Sequence, residues 1–497
     1  MCGIVAQYGP GDPAELEPML ERLVHRGPDD AGTVQVGGHW LGHRRLSIVD
    51  VEGGHQPLRL PDSSAQLVGN GEIYNHVTLR RVLAGRQLLT GSDNEVALHL
   101  IDRDGPDALA RTNGMFAIVF AAEDGRFVAA RDPVGIKPLY WARRGATIRF
   151  ASELHAFDPS WQGVVEPFPP GCYWTPETGV RRFADSVPRV TGPVPGDPLR
   201  GARDVLIDAV DRQLMGDVPV GVFLSGGLDS SLVAAIAARH YGRLGETLQT
   251  FAVGTIDSPD VAAARRVAEH IGSRHHEIVY DAEQALEALP VVVRTIESFD
   301  PALVRSAVPN FFLAREAAQH VKVVLTGEGA DELFAGYEYM RDITDPRALH
   351  DELQRTIDGL HNLNLQRADR VTMAHSLEAR VPFLDLEVID WAMRLPIELK
   401  IPAEGEIEKV LLREAFTGWL PEDLLWRVKS QFGDGSGARE VLSDAVAAGI
   451  ADDDFEAERH DITPPIRTKE ELAYYRVWRR WLPDVDPAKT LTRFATA

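Results

Sequence analysis

The pattern of apolar and polar positions changes character near residue 185. Before that point the chain is built of short runs rich in Val, Ile, Phe and Tyr, separated by Gly, Pro, Asp and Asn. Such runs read as strands and the punctuation as turns. The pattern predicts strands over 3–8, 33–36, 65–68, 116–120, 127–131, 139–141 and 147–151. Two stretches, near 14–24 and 94–104, are helical; the second carries Val96, Leu98, Leu100 and Ile101. Together these describe antiparallel sheets with flanking helices.

Residues 186–199 are rich in Pro and Gly and read as a linker. Beyond them helix and strand alternate. Helices are predicted over 203–213, 231–240 and 261–271, and strands over 218–224, 249–254, 276–280 and 321–325. That rhythm predicts a doubly wound parallel sheet, with further helices to about residue 482. The expected organisation is therefore two domains, 1–185 and 200–497, of α+β and α/β type.

Composition narrows the functional classes. An apolar fraction of 44% and a charged fraction of 25% are those of a globular protein. Two cysteines, Cys2 and Cys172, make no disulfide framework. There is no basic-then-apolar leader and no apolar run of about 18 residues. The expectation is a cytoplasmic protein without a membrane partner. The net charge of −22 argues against a nucleic-acid partner. Oligomeric state is not readable; a homodimer is left open.

The chemistry of the second half begins where Val220-Gly221-Val222-Phe223-Leu224 runs into Ser225-Gly226-Gly227-Leu228-Asp229-Ser230-Ser231. A strand enters a bare Gly-Gly turn and then an Ala-rich helix. Backbone N–H groups, three hydroxyls and a helix N-terminus can then surround an anion. This phosphate cradle lacks the Lys of the Walker type and resembles the PP-loop of ATP pyrophosphatases, which split ATP between its α- and β-phosphates. A pyrophosphate leaving group calls for Mg²⁺, which takes one or two carboxylates. Asp229 offers one. The turn Thr326-Gly327-Glu328-Gly329-Ala330-Asp331-Glu332 follows the next buried strand and offers others. Arg427-Val428-Lys429-Ser430-Gln431-Phe432-Gly433 places cations in a loop suited to developing phosphate charge, and 376–385 reads as a helix end turning at Pro382.

The first half offers a nucleophile. Removal of Met1 would leave Cys2 with a free α-amine on the same carbon as its side chain, so thiol and base come together. Asn70 and Gly71 supply amide donors for an oxyanion hole. Arg45 can grip a carboxylate and Asp93 an ammonium group. His25-Arg26-Gly27-Pro28-Asp29 reads as a turn near Cys2. His275-His276-Glu277 is not read as a metal site, because neighbours on a strand face opposite ways.

In this order, these motifs resemble the glutamine-hydrolysing asparagine synthetases over nearly the whole chain. The resemblance implies an N-terminal Ntn αββα sandwich and a C-terminal PP-loop ATP pyrophosphatase domain. It implies that Cys2 attacks the glutamine amide, that Asn70 and Gly71 form the oxyanion hole, and that Arg45, Gly71, Glu72 and Asp93 hold glutamine. Ser225, Gly226, Gly227 and Ser230 of the loop, with Leu224, Val253, Thr326 and Gly327, would bind ATP. Asp229 and Asp331 would bind Mg²⁺, Lys429 and Glu328 would serve catalysis, and Arg305, Glu328 and Arg380 would line the acid pocket. Aspartate would become β-aspartyl-AMP, and ammonia arriving through an internal tunnel would displace AMP.

One stretch departs from the family pattern. A Thr-rich segment is expected before the Arg of the acid pocket, but here Asp300-Pro301-Ala302-Leu303-Val304 precedes Arg305. Missing hydroxyls can change which acid fits. Two alternatives to asparagine synthesis therefore stand: a paralogue that activates another carboxylic acid for ammonia or another amine, and a non-enzymatic scaffold, against which Cys2, Asp229 and Asp331 argue.

Overall fold

A computed structural model describes residues 2–188, 192–403, 406–428, 442 and 446–494. Residues up to Arg182 build two six-stranded sheets. The first orders its strands Val165–Pro167, Tyr140–Arg144, Thr147–Ala151, Gly3–Tyr8, His39–Arg45 and Asp30–Val36. The second runs Gly179–Arg182, Cys172–Thr175, Phe127–Arg131, Gly114–Ala121, Gln66–Ile73 and Leu58–Arg59. Every neighbouring pair is antiparallel.

Strand periodicity sorts the side chains into layers. Ile4 and Ala6 point inward with Leu41 and meet Val68, Ala117, Val119 and Ala129 of the second sheet. Val5 points outward, to Leu16, Met19 and Leu20 of the helix Pro13–Glu21. On the far side, Leu67, Ile73, Phe116 and Ile118 meet Leu79, Val96 and Leu100 of the helices His76–Val82 and Glu95–Asp104. The result is the expected αββα sandwich.

The third sheet is parallel throughout, in the order Arg274–Val279, Gln249–Gly254, Val220–Phe223, Val323–Leu325, Glu378–Arg380. Helices Pro198–Gln213, Leu228–Leu244 and Pro259–Ile271 cover one face, against Val222, Ala252 and Leu325. Helices Ala282–Ile296 and Pro301–Ala317 cover the other, against Phe251, Val253 and Val324. The doubly wound expectation holds.

One segment corrects the sequence reading. Glu378–Arg380 is the fifth strand of this sheet, not a helix end. Its preceding helix stops at Met373, and Ser376 turns the chain with φ 56°. The strand shows no apolar run because its charges neutralise each other: Arg380 Nε lies 2.6 Å from Glu378 Oε1, and both side chains are fully buried. Among the described residues no helix is long and apolar enough to cross a membrane.

Candidate active sites

The first site lies where the N-terminal strand meets Gln66–Ile73 of the second sheet. The backbone N–H of buried Cys2 donates to Asn70 Oδ1 at 2.9 Å. That bond fixes the Asn70 amide. Its Nδ2 is buried and, among the described residues, has no hydrogen-bond partner, so a donor is left unused beside the thiol. Gly71 has φ +130°, and a Cβ there would lie 1.9 Å from the Met115 carbonyl oxygen. Only glycine takes this conformation in this space. Its own carbonyl accepts from Asn94 Nδ2 at 2.8 Å.

Charged groups surround this corner. Asp93 Oδ2 accepts from the Ile73 N–H at 2.6 Å. Burial pushes the Asp93 carboxyl up. Burial, with Asp93 and Glu378 nearby, pushes Glu72 well above the usual carboxylate range. Arg45 donates to the carbonyls of Val49, Asp50 and Val51, so it shapes the loop after its strand. Burial also raises the Cys2 thiol, against the pull of the N-terminal charge. Arg26 Nε donates to the Cys2 carbonyl at 2.9 Å, which places the His25–Asp29 turn against the nucleophile.

The second site lies at the C-terminal ends of Val220–Phe223 and Val323–Leu325, where ligands of such sheets bind. Gly226 has φ +74°, and a Cβ there would strike Ala263 Cβ at 2.7 Å and Asp260 O at 2.8 Å. Gly227 caps the helix Leu228–Leu244. The loop hydroxyls hold its shape: Ser230 Oγ accepts from the Ser225 N–H at 3.1 Å, and Ser231 Oγ donates to the Gly227 carbonyl at 2.7 Å. Gly327 packs against this loop, since a Cβ there would meet Ser230 N at 2.9 Å. Leu224, Val253 and Thr326 sit at the same sheet edge; the Leu224 N–H donates to Phe251 O and the Thr326 N–H to Arg380 O.

Sequence reasoning missed the residue at the centre of this site. Lys409 Nζ lies 2.6 Å from Asp229 Oδ2 and 2.6 Å from Asp331 Oδ1. Burial works against its ammonium, but the two carboxylates overcome that and hold its pKa above the ordinary lysine value. A cation thus already stands between the two aspartates, and their oxygen donors fit Mg²⁺. No motif marks Lys409; it precedes an ordinary helical stretch, Val410–Ala415.

The residues expected to line the acid pocket are held in ion pairs. Arg305 pairs with Glu470 at 2.9 Å, and Tyr474 donates to the same carboxylate. Arg380 is fully buried; its Nε and Nη1 donate to Glu378 and the carbonyls of Gln213 and Met215, while its Nη2 has no hydrogen-bond partner among the described residues. It stands on a short, fully buried strand that the sequence did not reveal. Arg367, also missed, reaches Glu328 and donates to Ser306 Oγ at 2.9 Å. Leu303 and Val304, in place of the expected hydroxyl residues, are core. Lys429 lies outside the described residues; Arg427 donates to Gly226 O at 3.2 Å and Asp260 Oδ1 at 2.7 Å.

A buried ion network joins the two halves. Arg26 makes two bonds to Asp369, at 2.8 and 3.0 Å, and also reaches Glu153. Arg370 pairs with Glu297 at 3.2 Å, and Glu297 receives His155 at 2.8 Å. Asp369 and Arg367 share the helix Asn364–Met373, so one element touches both the Glu328 corner and the Arg26 that holds Cys2.

The family model for asparagine synthase matches residues 201–345 and 341–476, and that for the glutamine amidotransferase domain matches 1–167. The chain is 37% identical to a glutamine-hydrolysing asparagine synthetase of Arabidopsis thaliana, over 100% of this chain and 89% of that one. It is 40% identical to that of Asparagus officinalis, over 97% and 86%. It is 39% identical to a probable one of Schizosaccharomyces pombe, over 96% and 92%. With a thiol and amide corner in one half and a serine-glycine loop in the other, the chain belongs to the asparagine synthetase family and carries its glutamine amidotransferase domain.

Proposed function

We propose that this protein makes asparagine from aspartate, taking nitrogen from glutamine and energy from ATP, with residues 1–185 as glutaminase and 200–497 as synthetase. One observation carries the reading: Cys2 N is bonded to Asn70 while Asn70 Nδ2 is left as a buried, unused donor. An amide carbonyl attacked by the Cys2 thiolate would place its new oxyanion where that donor and the Gly71 N–H can stabilise it. After loss of Met1 the Cys2 α-amine takes the thiol proton and later passes it to the leaving ammonia. Arg45 and Asp93, with Glu72, hold the charged end of glutamine.

In the other half the 225–231 loop cradles the phosphates of ATP, and Leu224, Val253, Thr326 and Gly327 line the nucleotide. Asp229 and Asp331 would hold Mg²⁺, which would supply positive charge against the leaving pyrophosphate. Lys409 gives up its place between them and moves its charge toward the phosphates; Lys429 adds a second cation there. The side-chain carboxylate of aspartate attacks the α-phosphorus and expels pyrophosphate. Ammonia then attacks the acyl carbon and expels AMP. Glu328, which Arg367 braces, would take a proton from the attacking ammonia, and Arg305 would read the acid.

The test is incubation with glutamine, ATP, Mg²⁺ and a panel of acids, with products read by mass spectrometry. Asparagine, AMP and pyrophosphate in equal amounts are expected with aspartate. Turnover of another acid with none of aspartate would overturn the reading.

A further inference from the structure

Adjacent residues on a strand face opposite ways, and the strand Arg274–Val279 obeys this. His275 turns to Thr250 Oγ1, at 3.0 Å. His276 turns to the other face and meets the end of the helix Pro301–Ala317. There it gathers with Glu316 and His320, and one ligand atom from each of the three lies within 4.8 Å of the others. We propose that His276, Glu316 and His320 bind a divalent transition-metal ion of the Zn²⁺ class, outside both active sites.

The donor set is two imidazoles and one carboxylate, which suits Zn²⁺, Co²⁺ or Ni²⁺ and not Mg²⁺ or Ca²⁺, which take oxygen. Glu316 stands in the last turn of the helix Pro301–Ala317 and His320 in the turn that follows, where the His320 N–H donates to the Ala317 carbonyl, so both side chains face the same way. Their facing atoms, Glu316 Oε1 and His320 Nε2, are 3.1 Å apart. Tetrahedral bonds of about 2.0–2.2 Å give an edge of about 3.4 Å, so a metal replaces the shared proton with little movement.

The surrounding groups are also those a metal site uses. Gln249 Oε1 lies 2.9 Å from His276 Nε2 and accepts from it in the Nε2–H tautomer, the form in which Nδ1 carries the lone pair. Gln319 Nε2 donates to Glu316 Oε2 at 3.2 Å, on the atom that does not face His320. Outer hydrogen bonds of this kind fix the tautomer and orientation of a ligand. The His276 ring lies on Phe251 at 4.9 Å, nearly parallel, and 4.2 Å from the His320 ring. His320 and Glu316 stay solvent-accessible, which gives an ion its entry path and a water as fourth ligand.

The cluster His25, Glu153 and His155 has the same residue types but different partners. Glu153 there is occupied by Arg26, and His155 by Glu297. That cluster is part of the ion network between the halves.

The test uses the full chain carrying Cys2→Ala, which removes the competing thiol, after treatment with a chelator. Titration with Co²⁺ followed by visible absorption, and with Zn²⁺ by calorimetry, is expected to show one site. Zn²⁺ is expected to raise the melting temperature. His320→Ala and Glu316→Gln are each expected to weaken the site about tenfold or more, while His25→Ala leaves it unchanged. His276→Gln keeps a side chain on Phe251 and is expected to lose the Co²⁺ absorption band. The proposal is overturned by the absence of a Co²⁺ band, or by a band that survives His320→Ala. The readout is metal binding, so the result is independent of which acid the enzyme amidates.

Discussion

Glu72 and Asp93, beside Cys2, are buried and driven toward their protonated forms, whereas Asp229 and Asp331 stand on either side of an ammonium. The first site is dry and built from backbone-anchored groups on two stacked sheets. Burial holds its carboxyls Glu72 and Asp93 back from ionising, while its substrate brings an ammonium and a carboxylate of its own. The second lies at the open end of a parallel sheet and must hold a polyphosphate. Its two carboxylates are balanced by a lysine that another cation can displace. One chain thus prepares a site for a zwitterion by withholding charge and a site for a nucleotide by storing it.

The largest expected effect separates the two sites outright. Cys2→Ala should lower glutamine-dependent synthesis by about 10³-fold or more, because the nucleophile is gone. Synthesis from free ammonia should stay within about twofold, since among the described residues the thiol's hydrogen-bond partner is the Leu46 carbonyl and not a group of the second site. Equal loss of both activities, read as asparagine formed from each nitrogen source, would mean that the sites do not act separately.

Asp331→Asn should do the reverse. It removes one of the two carboxylates around Lys409 and should cost about 10²-fold in synthesis from either nitrogen source. Glutamate release from glutamine should persist. If Asp331→Asn leaves pyrophosphate release intact, Lys409 is a structural ion pair and not a stored cation.

Asp369→Asn tests whether the halves are independent. Asp369 belongs to the helix Asn364–Met373 but grips Arg26, whose Nε holds the Cys2 carbonyl. Loss of one carboxylate charge from a buried pair is costly. We expect glutaminase kcat to fall about tenfold with KM little changed, and Cys2 alkylation by iodoacetamide to change its pH profile. Ammonia-dependent synthesis should hold. A parallel fall in both activities would mark the pair as packing alone.

The sequence made much of this legible, for physical reasons that also explain its failures. Gly114–Ala121 is wholly buried, so its apolar run announced a central strand. Asn70 and Gly71 lie inside the strand Gln66–Ile73 and Asp93 in the turn before the helix Glu95–Asp104; singly each reads as an ordinary turn residue, and only their order along the chain after Cys2 marks them as candidates. His39–Arg45 shows no strand pattern in the sequence because its buried residues include His43 and Arg45, whose polarity hides the period. Lys409 was invisible because its meaning depends on Asp229, 180 residues away. Arg380 was misplaced because a three-residue strand leaves no period to read.

The smallest effect bears on the dry site alone. Burial holds Glu72 and Asp93 above the ordinary carboxyl range, so the folded protein keeps protons that the unfolded chain has lost. Stability should therefore fall as pH rises from the ordinary carboxyl pKa toward the raised ones, by at most about 1.4 kcal/mol per pH unit for each proton. The ammonium of glutamine, set against these groups, lowers their pKa values and expels the protons. Glutamine binding to a Cys2→Ala protein should then release protons, seen as a calorimetric enthalpy that changes with the ionisation enthalpy of the buffer. Affinity should rise with pH through the same window, and Asp93→Asn should shrink both effects. A binding enthalpy that is the same in every buffer would mean that Arg380, 3.8 Å from Glu72 Oε2, already keeps the carboxylates charged. The two sites would then both store charge, and the contrast between them would reduce to the identity of the stored cation: a guanidinium fixed on a buried strand in one, a displaceable ammonium in the other.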